Sequence, residues 1–335
     1  MRLLLCVFAT LRENMFPQRR EGIHKKDMRT ISFLLIVIAG LNFATYGQKA
    51  KRAVAQPSPK PQPTSLDDRI NDAIAGFQGN VWIYAKNLDT GKEYSLRGDE
   101  QTRTASTIKL GIMAEAFHQV AEGKLHWNDA IELTKEKKQG GSGILFEFSD
   151  GTKIDLQTAL HLMIVVSDNT ATNLVLDKVG TDNVNDFMDS LGLTDLKVMR
   201  KIGGGGDSKA WLNDPRNKLF GLGRCSPHQM VRLIEMMERG ELVSKEASAE
   251  MINILKRQQY KDGIGRGEPD TIPVASKSGA LDRFRADVGI VYTRRGRIAM
   301  AIYIDDMRVV AYDQENPGLA MIWKLSQILQ AGLGR

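Results

Sequence analysis

Cysteine is nearly absent, occurring only at Cys6 and Cys225 in 335 residues. Cys6 falls in a segment expected to be removed, and one remaining thiol makes neither an internal disulfide nor a thiolate metal cluster. Histidine is sparse, five in all and never as His-x-x-x-His, which argues against a zinc site. No metal or organic cofactor is expected. Net charge is small once the front end is set aside. The formal charge is +6, and residues 1–47 hold seven basic and three acidic side chains, so the rest carries about +2. No basic patch with interleaved aromatics occurs, so nucleic acid is not an expected partner. Arg294, Arg295 and Arg297 around Gly296 read as a solvated hairpin tip. Long apolar runs are lacking too: Ile31–Leu41 is too short for a comfortable membrane span.

What is present is a 42% hydrophobic composition, enough for a real core. Arg29, the apolar run and the small residues Ala44, Thr45 and Gly47 form a signal-peptide layout. Residues 28–47 are therefore expected to be a leader, with Met28 a natural start and residues 1–27 an N-terminal extension. No cysteine near the exit invites lipid attachment. Residues 48–65 hold four prolines and no core-forming period, and read as a solvated linker. The expected destination is the periplasm or the medium, with no stable membrane span after leader cleavage and a monomeric chain.

From Leu66 the hydrophobic periods alternate between helix and strand. Leu66–Phe77 has helical spacing, and Asn80–Asn87 with Glu93–Leu96 reads as a strand pair about an Asp-Thr-Gly turn. Helical runs are predicted over Ser106–Glu122, Asp155–Val166, Ala171–Val179, Val184–Leu191, Pro227–Arg239 and Ser244–Gln258. Strand character returns near Thr271 in PVASKS, ADVGIVYT and RIAMAIYID, and a last amphipathic helix runs from Pro317 to about Gln330. This order predicts an α/β fold. A five-stranded antiparallel sheet, flanked by the terminal helices, is built from residues 66–100 and 265–335. Residues 101–264 form an all-helical lobe, and a cleft between the two is a natural pocket.

Three short motifs fall where that cleft would be. In Ser106-Thr107-Ile108-Lys109, positions i and i+3 share a helix face, so the lysine can reach Ser106 Oγ. A desolvated lysine, or one beside other cations, can lose its proton near neutral pH and activate a serine. The helix N-terminus would favour an oxyanion. Alone this signal is weak, since Ser and Lys are common. Ser167-Asp168-Asn169 interrupts two strongly apolar runs, where polar side chains need partners. A hydroxyl there can relay a proton, and an asparagine can hold a substrate amide. In Lys277-Ser278-Gly279-Ala280, a strand lysine followed by a hydroxyl suits a substrate carboxylate. Gly279 allows close approach, and Ala280 N–H can join Ser106 N–H as an oxyanion donor.

S-x-x-K, S-D-N and K-[ST]-G in this order, spaced 61 and 110 residues apart, resemble the motif set of class A β-lactamases and penicillin-binding proteins. The resemblance spans nearly all of residues 66–335 and takes in GGSGIL (Gly140–Leu145), SDNTATN (Ser167–Asn173), the CSPHQM helix start and DVGIVY (Asp287–Tyr292). It implies an acyl-enzyme on Ser106, with Lys109 helping to activate it and Ser167 passing a proton to the departing nitrogen. It further implies that Asn169 binds a substrate side-chain amide, that Lys277 and Ser278 hold the carboxylate, and that Ser106 and Ala280 N–H form the oxyanion hole. Arg283 or Arg285 is a further candidate for carboxylate binding.

The chain departs from that family in one respect. Class A β-lactamases place a glutamate in the loop after S-D-N to position the hydrolytic water, and this chain has no glutamate from Ala171 to Ile234. The loop VMRKIGGGGDSKAWLNDPRNKLFGLGRCSP offers only Asp207 and Asp214. Asp214, with Pro215 and Asn217, is a candidate deacylation base, although Asn-Asp-Pro is also good turn chemistry and Gly203–Gly206 suggests mobility. Three readings follow: a class A type hydrolase of β-lactams, a D-Ala-D-Ala peptidase-like enzyme on cell-wall peptides, and a non-turnover protein that binds β-lactams or cell-wall fragments.

Overall fold

The computed structural model describes residues 65–334; the expected extension, the leader and nearly all of the linker lie outside the described residues. Ser65 caps the first helix. Its Oγ accepts from Asp68 N while its own N–H donates to the Asp68 carboxylate, closing a capping box.

Helix α1 (Leu66–Ile74) is followed by strands β1 (Asn80–Asn87) and β2 (Glu93–Leu96). The middle of the chain is helical: α2 (Lys109–Ala121), α3 (Leu156–Val165), α4 (Asn169–Val179), α5 (Thr181–Ser190), α6 (Lys209–Asn213), α7 (Pro227–Arg239) and α8 (Lys245–Lys256). Strands β3 (Val274–Leu281), β4 (Phe284–Thr293) and β5 (Gly296–Asp305) precede α9 (Pro317–Leu333). The sheet order is β2-β1-β5-β4-β3, antiparallel throughout. The K-S-G strand is thus an edge strand.

Side-chain alternation on the strands divides the core in two. Val81, Ile83, Ile298, Met300, Ile302 and Ile304 point to one face and pack with Ile70 of α1 and Ile322, Leu325 and Leu329 of α9. Trp82, Tyr84, Ala299, Ala301 and Tyr303 alternate with them and pack against the helical lobe. The five-stranded sheet with terminal helices on one face is the fold the sequence predicts. Among the described residues, no helix is long and apolar enough to cross a membrane.

The structure corrects the sequence reading in three places. The helix expected from Ser106 begins instead as a 3-10 turn, Ala105–Ile108, and becomes α-helical only at Lys109. Ala105 enters that turn at φ 44, a conformation costly for any residue with a Cβ. Helix α6 and a 3-10 turn, Pro215–Phe220, occupy the central loop, where no helix is predicted. Two small ribbons also escape prediction: Thr102–Arg103, Gly223–Cys225 and Lys197–Val198 form one, and Ala130–Glu132 with Lys153–Asp155 the other. Runs of two or three residues are too short to show a period.

Candidate active site

The Ser106 turn is pressed against β3. A methyl group on Gly279 would lie 2.9 Å from Thr104 O and 3.2 Å from Ser106 N, so a side chain there would push the two backbones apart. The turn is braced from below: Thr107 Oγ1 donates to Thr104 O at 2.8 Å and lies 3.3 Å from the buried Tyr303 hydroxyl, which accepts from Cys225 Sγ at 3.3 Å. Burial raises the Cys225 thiol to about 12, so this cysteine is a packing group.

Lys109 and Lys277 are both fully buried. Lys109 Nζ donates to Ser167 O at 2.7 Å, Ser167 Oγ at 3.1 Å and Asn169 Oδ1 at 3.2 Å. Lys277 Nζ donates to the same Ser167 Oγ at 2.9 Å and to Ser278 O at 2.8 Å. The expected Ser106–Lys109 contact is therefore replaced, in this state, by contacts from Lys109 to the S-D-N turn. Such contacts commonly re-form around substrate.

Desolvation drives Lys109 well below the usual lysine range, the positive Lys277 adds to the effect, and Asp168 opposes it. Burial also lowers Lys277, to about 7, with Asp287 pulling the other way. A neutral Lys109 can accept a proton. Ser167 Oγ, between two nitrogens, can take a proton from one lysine and hand its own onward. Ser167 holds this place at φ 53, a left-handed conformation.

The rest of the S-D-N turn is cross-linked. Asp168 caps α4 through Ala171 N at 2.8 Å and also accepts from Ile144 N at 2.7 Å and Leu145 N at 2.8 Å. It thereby ties the GGSGIL segment to the turn. Asn169 Nδ2 donates to Gly140 O at 2.9 Å while its Oδ1 faces Lys109, which leaves one amide N–H for a ligand. Ser278 is half-buried and Ala280 exposed, next along β3.

Among the described residues, Asp214 makes no hydrogen bond to this cluster. Its carboxylate accepts from Arg216 N at 3.0 Å and meets the Arg216 guanidinium through both oxygens, at 3.0 and 2.8 Å. Those contacts hold it below the usual carboxylate range. It caps the Pro215 turn, the alternative that Asn-Asp-Pro offered. Asp207, the loop's other acid, lies 3.0 Å from Arg200. The Gly203–Gly206 run is anchored beside its start, because the Asn173 amide exchanges two 2.9 Å hydrogen bonds with Ile202. Asn217 is buried and joins Ala210 O to Arg224, at 2.7 and 2.8 Å. Arg285 is buried, with its guanidinium given to the carbonyls of Leu281, Phe284 and Ala311.

A model of the β-lactamase enzyme family matches residues 65–332. The chain belongs to that family. A solved β-lactamase from Sphaerobacter thermophilus is 29% identical, with a TM-score of 0.70 over 80% of this chain and 97% of that one. A class A β-lactamase from Mycobacterium abscessus, 19% identical, shares the fold at a TM-score of 0.70 over 81% and 100% of the two chains. Among curated proteins, an imipenem-hydrolyzing β-lactamase of Enterobacter cloacae is 26% identical over 136 residues, 40% of this chain and 46% of that one. The chain thus spans about half the length of that curated relative. The likeness to class A serine hydrolases is the one that the three sequence motifs carry.

Within this family frame, sequence reasoning missed one contact. Asp168 is named only as a member of the S-D-N motif, and its grip on a segment 24 residues away leaves no local trace.

Proposed function

We propose that this protein is an exported serine hydrolase in which Ser106 takes the acyl group of a β-lactam or a related cell-wall amide, and in which deacylation is slow. The observation that carries the reading is the pair of fully buried lysines sharing the Ser167 hydroxyl beside the Ser106 turn. In this reading Lys109 takes the Ser106 proton as Oγ attacks the carbonyl carbon. The Ser106 and Ala280 N–H groups receive the developing oxyanion. The C–N bond then breaks, and Ser167 supplies the proton that the departing nitrogen needs. Lys277 and Ser278 hold the substrate carboxylate, and Asn169 its side-chain amide.

Slow deacylation rests on the loop. Both of its acids face arginines, and an aspartate that caps a turn and chelates Arg216 is a poor base. The same observation favours a second reading, a D-Ala-D-Ala peptidase-like enzyme on cell-wall peptides. Export rests on the Arg29 and Ile31–Leu41 pattern.

The test is incubation with a chromogenic cephalosporin, followed by intact mass. A stable adduct that is absent in Ser106→Ala is expected. Steady fast turnover would contradict slow deacylation, and neither adduct nor turnover would leave only a binding role.

A further inference from the structure

We propose that Tyr303 is a positioning residue for the oxyanion hole: its buried hydroxyl, on the central strand of the sheet, fixes the Ser106 turn through Thr107 and the Thr104 carbonyl. This inference rests on the reading of Ser106 as an acylating nucleophile and deepens it.

Tyr303 is fully buried, and so are its two partners, Thr107 and Cys225. A phenylalanine would fill the same space with no polar atom to satisfy, so the hydroxyl calls for a role beyond packing. Its contacts supply one. Cys225 Sγ donates to Tyr303 Oη at 3.3 Å, Tyr303 Oη lies 3.3 Å from Thr107 Oγ1, and Thr107 Oγ1 donates to Thr104 O at 2.8 Å. The thiol and the two hydroxyls carry one proton each. Thr107 gives its proton to Thr104 O, so Tyr303 is the donor to Thr107. The chain therefore runs one way, from thiol to phenol to threonine to carbonyl, and each bond polarises the next. Burial keeps the phenol and the thiol protonated, so both remain donors. The phenol–threonine bond is long for two hydroxyls and has room to tighten around substrate.

The Thr104 carbonyl is where this chain of bonds acts. It accepts from Thr107 N at 3.2 Å as well as from Thr107 Oγ1, and so closes the 3-10 turn Ala105–Ile108. On its other side it meets β3, where a methyl on Gly279 would lie 2.9 Å from Thr104 O and 3.2 Å from Ser106 N. Its place thus sets the gap between Ser106 N and Ala280 N, the two donors of the proposed oxyanion hole. The turn does not hold itself: Ala105 sits at φ 44, a conformation that persists only where its surroundings enforce it. Tyr303 is well placed to enforce it. Paired with Trp82 of β1 and Ala286 of β4, it is carried by the middle of the five-stranded sheet. Cys225 lies on the ribbon strand Gly223–Cys225, and Gly223 O accepts from Thr104 N at 3.0 Å. The sheet, the ribbon and the Ser106 turn therefore meet at one hydroxyl.

The test uses the full chain, benzylpenicillin and phenylboronic acid, which becomes tetrahedral on a serine and draws on the oxyanion donors. In Tyr303→Phe the saturating acylation rate, read by intact mass, should fall about tenfold while KM stays within about twofold, because the hydroxyl acts on the transition state and not on substrate binding. Affinity for phenylboronic acid should fall by about the same factor. Thr107→Val should lose at least as much, and Thr107→Ser should recover most of that loss. Tyr303→Phe added to Thr107→Val should then cost nothing more. An unchanged acylation rate, a loss that lies in KM alone, or losses that multiply in the double variant would make Tyr303 a packing residue and overturn the proposal. If Thr107→Val does not fold, Tyr303→Phe alone decides, through rate, KM and boronate affinity. Absence of any adduct on the unsubstituted protein overturns the acylation reading and this inference together; an adduct that forms at the unsubstituted rate in Tyr303→Phe overturns only the inference.

Discussion

The Lys109–Ser167–Lys277 cluster and the loop from Val198 to Pro227 are built on opposite terms. In the cluster, charged groups are stripped of water and given neutral partners, which leaves them reactive. In the loop, each acid faces an arginine, and buried Asn217 fixes the path. On the function proposed above, the difference would equip one half of a two-step reaction and not the other. Acylation needs a poised lysine; deacylation needs an acid free to hold water.

The largest expected effect breaks the first side. Lys109→Met should lower acylation about 10³-fold. The same substitution should raise the unfolding free energy by about 1–3 kcal/mol near neutral pH, because folding strips Lys109 of a proton that the unfolded chain keeps. The sign can be checked through pH. The folded-state value of Lys109 is lowered, so between that value and the ordinary 10.5 the unfolded chain binds the extra proton. Its contribution to stability therefore rises with pH across that window. Denaturant titrations from pH 7 to 10 should show that slope diminished in the variant.

Next in size is Gly279→Ala. Its methyl would crowd Thr104 O at 2.9 Å and shift the Ser106 turn, lowering acylation about 10²-fold. Acylation at wild-type rate would contradict the close packing.

Asn217→Ala tests the second side. It leaves Ala210 O and Arg224 without their partner, and should cost about 1–3 kcal/mol with little change in acylation. Thermal melts and adduct formation on one sample separate the two. The smallest effect is expected of Asp214→Asn, which keeps a capping side chain. Its adduct should decay within about twofold of the wild-type rate, whereas accumulation of a longer-lived adduct would restore Asp214 as the base.

Much of this was legible in the sequence. The sheet was readable because β1, β4 and β5 are near-continuous apolar runs, as strands that face apolar layers on both sides should be. The motifs showed which groups carry chemistry but not how they meet. Helical spacing suggested that Lys109 turns to Ser106. The 3-10 turn changes that geometry, and Ser167 and Asn169, some 60 residues away, take the ammonium instead. The burial of Lys277 was not readable either, since an edge-strand lysine is normally solvated and only the helical lobe over it removes water. In the loop, sequence offered Asp214 as either a base or a turn cap. The choice depended on whether Arg216 folds back onto it, which no spacing rule decides.

The account's central claim is an imbalance between the two steps on Ser106. It is tested most directly by mixing the protein with benzylpenicillin, quenching at intervals and following the intact mass. The account predicts one adduct per chain of the full penicillin mass, localised to the peptide holding Ser106, forming far faster than it decays. Penicillin consumed steadily with no adduct accumulating would contradict it.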